Sequence, residues 1–117
     1  MTDEFREEMI QIGAVATAII HDRDKGGTGN HPEHLRVIEA EIAMERARQE
    51  LKWGSQHHDP IIWMLILMEE VGEAADAILL PEAEDLMDDL ESAGLIGKIG
   101  YLGELAHDWL KEKVGYD

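Results

Sequence analysis

The chain contains no cysteine. That excludes a disulfide framework, thiol chemistry and every zinc site built on sulfur. Aromatic residues make up only 5% of the 117 residues. Ala, Leu, Ile, Met and Glu dominate instead, a mixture that favours helix over sheet. Basic residues are scarce, 10 against 26 acidic, for a formal charge of −16. Such a surface repels polymeric nucleic acid and anionic membrane, so neither is expected as a partner. An acidic protein that handles phosphates needs metal cations as mediators. No apolar run approaches the roughly 18 residues of a membrane span. The N-terminal stretch is acidic and lacks the basic region of a signal peptide, so the chain is expected in the cytoplasm.

Hydrophobic residues make up 44%, enough for one domain, 1–117, of modest core. Helical spacing of Phe5, Met9, Ile12, Ala16 and Ile19 predicts a first helix over 3–22, with 13–20 buried on most sides. The polar, Gly-rich stretch 23–31 reads as a flexible connection. Asp22 to Gly26 loosely follows a calcium loop but lacks its spacing and its terminal Glu. Pro32 opens a second helix that Gly54 closes. Its apolar stripe is thin: Leu35, Ile38, Ile42 and Leu51. Asp59 before Pro60 signals a third helix over 60–80, apolar all round in its first half and therefore central. A fourth, acidic helix is expected at 82–92. A fifth is expected at 95–113, with Ile99, Leu102, Leu105 and Trp109 on one side. Helix follows helix, so an all-α bundle of about five helices is expected. A chain this short does not cover its third helix alone, which points to a homodimer or homotetramer.

The third helix carries the chemistry. Positions 63, 66, 70, 73 and 77 share one stripe, reading Trp, Ile, Glu, Glu, Ala. Glu70 and Glu73 therefore continue an apolar face, with Glu69 beside them. Buried, like-charged carboxylates are costly, and a hard divalent cation such as Mg²⁺ or Mn²⁺ relieves both burdens. The plainer reading is a solvated acidic turn where the helix leaves the core. Elsewhere, Arg48 and Lys52 form an (i, i+4) basic pair among glutamates, and Trp53 can simply anchor a helix end. His31-x-x-His34, His57-His58 and His107 raise zinc. Neither His31 nor His34 has a carboxylate or cysteine set at zinc-site spacing. Gly97, Gly100 and Gly103 recur every three residues, each costing roughly 1 kcal/mol against Ala in a helix. Either another helix approaches closely there or the region is a loop.

The segment Glu45, Arg46, Arg48, Gln49, Lys52, Trp53, Gly54, Gln56, His57, His58, followed by Trp63, Ile66, Leu67 and then Glu69, Glu70, Gly72, Glu73, resembles the MazG-like nucleoside triphosphate pyrophosphohydrolases of phage and bacteria. The resemblance covers about residues 39–80. It implies an all-α fold that converts NTP or dNTP to the monophosphate and pyrophosphate with Mg²⁺, or Mn²⁺, as cofactor. It assigns Glu69, Glu70 and Glu73 to catalysis, and Arg48, Lys52, Trp53, Gln56 and His58 to the nucleotide. Such families add a second acidic pair from a neighbouring helix, and here the sequence departs. Glu82-x-x-Asp85 follows too soon, and Glu104-x-x-His107 has His in place of Asp. Phe5, Arg6, Glu7, Glu8 and Gln11 resemble the helix that usually ends this subgroup. A circularly permuted order follows, with Glu8 and Gln11 joining Glu70 and Glu73 at the metal and the first helix packing beside the third. Gln11 coordinates more weakly than a carboxylate. The competing reading is a non-catalytic helical relative that binds nucleotide or protein through a degenerate metal site; a purely structural oligomer is a third.

Overall fold

The structure, a computed structural model, describes residues 2–78 and 90–116. The described residues are helical with no strand: α1 (Asp3–Lys25), α2 (Pro32–Trp53), α3 (Pro60–Ile78) and α4 (Leu90–Val114). The all-α expectation therefore holds, with four helices among the described residues. The acidic helix expected at 82–92 falls outside the described residues up to 89, and 90–92 form the first turn of α4. No described helix is long and apolar enough to cross a membrane. The helices pair off into two compact units, Met1–His57 and His58–Asp117.

In the first unit, the Thr2 hydroxyl caps α1 by accepting from the Phe5 N–H at 3.1 Å, with Asp3 and Glu4 in the first turn. The helix runs three residues past the expected end. It stops at Gly26, whose left-handed φ of 72° lets its N–H turn back to the Asp22 carbonyl. Pro32 opens α2 and Gly54 closes it, as expected. The pairing of α1 with α2 is slight. His21 and Ile38 are its buried residues, both toward the connecting loop. Val15, Ile19, Met44 and Leu51 are exposed, Leu51 at 89%. The expectation that 13–20 is buried on most sides is thus overturned: the thin stripe of α2 offers too little apolar surface to cover it.

The second unit is more closely packed. Pro60 opens α3, and the Trp63 N–H donates to the Asp59 carbonyl at 3.1 Å. The helices α3 and α4 run antiparallel and meet backbone to backbone. A Cβ added at Gly72 would lie 2.6 Å from the Gly103 Cα, and one at Gly103 would lie 2.7 Å from the Gly72 Cα and 3.1 Å from the Met68 carbonyl. One at Gly100 would overlap the Asp76 carboxylate. The close approach weighed for the α4 glycines is realised at Gly100 and Gly103, and Gly97 meets nothing within 4 Å. This crossing turns both helices away from their expected faces. The buried positions are Glu69, Gly72 and Ala75 on α3 and Gly100, Gly103, Ala106 and Leu110 on α4. Leu102, Leu105 and Trp109, which share the apolar side of the last helix, are exposed, as is Ile61 on the half of α3 expected to be central. The smallest side chains permit the nearest approach, so they define the seam, with Leu110 enclosed beside it and Leu102, Leu105 and Trp109 outside.

Gly103→Ala should destabilise the second unit, because overpacking of about 1–3 kcal/mol outweighs a helix-propensity gain of roughly 1 kcal/mol. Gly97→Ala, with open space around it, should stabilise by up to about 1 kcal/mol. Urea denaturation followed by circular dichroism reads both signs.

Candidate functional site

Antiparallel pairing sets a register in which Glu69 meets His107, Gly72 meets Gly103 and Asp76 meets Gly100. The turns flanking the glycine contact carry polar residues, so a cleft of about 320 Å³ opens along the seam, lined by Glu69, Glu73, Asp76, Glu104, His107 and Asp108, with Gly72, Gly100 and Gly103 at its floor. Five carboxylates and one imidazole thus share one side of the hairpin. On α3, residues 69, 73 and 76 follow the i, i+4, i+7 rule for one face; on α4, Glu104 and Asp108 do so at i, i+4.

Glu69 is the unusual member. It is 9% exposed, and burying an ionised carboxylate costs on the order of several kcal/mol unless it is compensated. Its Oε1 lies 2.7 Å from the His107 Nδ1, a hydrogen bond in which the imidazole donates. Its Oε2 is buried with no hydrogen-bond partner. One oxygen is therefore satisfied across the hairpin and the other is open to a cation or a proton donor. Tyr116, past the end of α4, lies within the electrostatic reach of Glu69, Glu70 and Glu73. Gly115, with φ of 67°, lets the Tyr116 N–H return to the Leu110 carbonyl at 3.2 Å. Burial pushes the Tyr116 hydroxyl above its ordinary pKa, and the negative field of Glu69, Glu70 and Glu73 pushes it further. The phenol therefore stays protonated beside these carboxylates.

The sequence-derived site residues are distributed as follows. Glu69 and Glu73 line the cleft; Glu70 is exposed and outside its lining. The stripe through Glu70 and Glu73 is thus not the buried one. Glu69 bears the burial cost, because the face carrying Gly72 is the one that admits α4. His58 packs edge-on against Trp63, ring centres 4.8 Å apart, with its Nε2 buried and unpartnered. The other residues assigned to nucleotide lie in the first unit. Arg48 is ion-paired with Glu45, its Nε donating at 2.8 Å, and this holds the Glu45 carboxyl below its usual range. The Lys52 ammonium sits 4.7 Å above the Trp53 ring. Gln56 is half-buried. Glu8 and Gln11 share one side of α1 and line a shallow groove with Ile12 and Val15.

Asp76, Glu104, His107 and Asp108 were not among the residues singled out for the site. Glu104-x-x-His107 carried the available signal, but only the register of α4 against α3 shows that it faces Glu69. Among the described residues, no three side chains as placed could jointly hold a metal ion. The cleft offers hard oxygen donors and an unsatisfied carboxylate oxygen, the donor chemistry that Mg²⁺ or Mn²⁺ takes.

If the Glu69–His107 contact ties the hairpin, a double-mutant cycle of Glu69→Gln and His107→Ala should return a coupling of roughly 1–2 kcal/mol in urea melts. Additive losses would show that the contact contributes nothing. No family model matches the chain, and no curated protein or solved structure matches it either.

Proposed function

We propose that the chain is a Mg²⁺-dependent nucleoside triphosphate pyrophosphohydrolase of the MazG-like kind, acting in the cytoplasm on NTP or dNTP. The observation that carries this reading is the buried Glu69 with one unsatisfied oxygen in a cleft of carboxylates. Its support in sequence is the paired segments around Lys52-Trp53-Gly54 and Glu69-Glu70-x-Gly72-Glu73. Bound Mg²⁺ supplies neutralisation of the triphosphate and polarisation of the phosphoryl group. Glu69, Glu73, Glu104 and Asp108 are the residues to hold it in the second unit, with Glu70 at their edge. In the permuted order, Glu8 and Gln11 contribute from α1. His107 holds Glu69 in position, and a cleft carboxylate orients the attacking water and takes its proton. Arg48, Lys52, Gln56 and His58 serve the phosphates and base, and Trp53 offers a stacking face. Arg48 must exchange its bond to Glu45 for phosphate.

The second reading is a relative that binds nucleotide or protein without turnover. It is favoured by Gln11, a weak ligand where a carboxylate is expected, and by the lack of three converging metal ligands among the described residues. A screen of the eight common NTPs and dNTPs for pyrophosphate release with Mg²⁺ or Mn²⁺ separates the two. Turnover is expected, and Glu69→Gln and Glu73→Gln should each lower kcat by about 100-fold or more, roughly 3 kcal/mol in the barrier. Nucleotide binding without pyrophosphate release would favour the second reading and overturn the first.

The exposed apolar side chains on all four helices, among them Ile19, Leu51, Ile61 and Trp109, support a homodimer or homotetramer. Sedimentation equilibrium at micromolar concentration should give two or four times the 13.2 kDa chain mass. A species of one chain mass would refute it.

A further inference from the structure

The first unit holds a second cluster of titratable groups, remote in sequence from the acidic cleft. Where α1 passes through the Gly26–His31 turn into α2, three imidazoles gather. The ring centre of His21 lies 5.2 Å from that of His31 and 5.6 Å from that of His34. His21 is 1% exposed, and its Nε2 is buried with no hydrogen-bond partner. His31 is exposed and His34 half-buried, and both border a cavity of about 350 Å³ with Lys25 and Glu33. Solvent therefore reaches these two rings but not the third.

Burial without a partner costs the neutral His21 ring a hydrogen bond that water would have given it. It costs the protonated ring far more, because a charge is then enclosed with an N–H that nothing accepts. The surrounding groups add to that cost. His31 from the turn and His34 from α2 repel a charged His21, as does Lys25 on α1 itself. Asp24 attracts it, but that carboxylate is already engaged: the His34 Nε2 lies 2.9 Å from the Asp24 Oδ2. Burial first, and the neighbouring cations second, hold the His21 pKa below that of a free imidazole. Water can solvate a charge on His21 only if α1 and α2 part near their turn, and the pairing between them is slight.

We propose that the α1–α2 hairpin is an acid-sensitive latch, closed while His21 is neutral and opened near its turn when His21 takes a proton. Ile38, buried in the same hairpin, is then uncovered with it. The sign follows from linkage. Opening returns His21 to an ordinary imidazole pKa of about 6.5, so the open form holds the proton more tightly than the closed form. The contribution of neutral His21 is therefore complete above about pH 6.5 and is lost as pH falls toward the lower pKa of the closed hairpin. Asp24, whose carboxyl the His34 hydrogen bond holds below its ordinary 3.8, loses its contribution only at still lower pH. The two groups thus act in separate windows, and mild acid reads His21 alone.

The test uses the full chain and amide hydrogen exchange over 17–25 and 32–40, corrected for the intrinsic pH dependence of exchange. Protection there should fall about 5- to 25-fold from pH 7 to pH 5; the upper figure is the limit for an imidazole that titrates near 6.5 when open and not at all when closed. His21→Leu occupies the enclosed position with no proton to take, and its protection should change by less than about twofold over the same range. Titration of the His21 ring by NMR needs no variant, and its midpoint in the unaltered chain should lie below about 6.5. Protection unchanged by acid in the unaltered chain, an equal fall in His21→Leu, or a His21 midpoint at or above that of a free imidazole would each overturn the proposal. None of these readouts involves nucleotide or metal, so the latch and the hydrolase reading fail separately.

Discussion

The contact between Gly72 and Gly103 governs the second half of the molecule. Two helix backbones touch there, nearer than any side chain allows, and each glycine costs roughly 1 kcal/mol of helix propensity. Return for that cost comes from the enclosure of Ala75, Ala106 and Leu110 and from dispersion between two backbones in direct contact. The approach also brings Glu69, Glu73 and Asp76 to the same side as Glu104 and Asp108. Their mutual repulsion opposes the crossing, so packing and electrostatics pull in opposite directions along one seam. A cation in the cleft would bring them into agreement.

Local pattern carried much of this into the sequence. Pro32, Gly54 and Asp59-Pro60 mark helix boundaries that recur in the structure, because capping and proline chemistry act within a few residues. That the Glu69–Glu73 segment sets carboxylates along α3 was also legible. Which of its carboxylates is buried was not, because a helical wheel weights large apolar residues. The seam is made by glycine and alanine, which such a pattern scores as neutral. Gly72 read as part of a motif is, in the fold, the point of nearest approach. The partnership of Glu69 with His107 depends on register between helices 38 residues apart, which no local periodicity encodes. The same holds for His21: ten residues from His31, it takes on meaning only once the chain has turned at Gly26.

The two hairpins differ in how they bury surface. The first encloses a polar ring and one isoleucine near its turn and leaves most of its apolar residues outside. The second encloses a seam of small residues and the Glu69 carboxyl. Both spend their tightest packing on polar groups, His21 in one and Glu69 in the other. Natural cores seldom place titratable side chains at their most enclosed points without a use for them.

Pairing between α1 and α2 has a kinetic consequence. In the first hairpin the partners are joined by the short 26–31 turn, so little loop entropy is lost before contacts form, and folding of such topologies is rapid. The first hairpin is complete in sequence by residue 57. During synthesis it can therefore form while the second is still being made, well before the acidic seam exists.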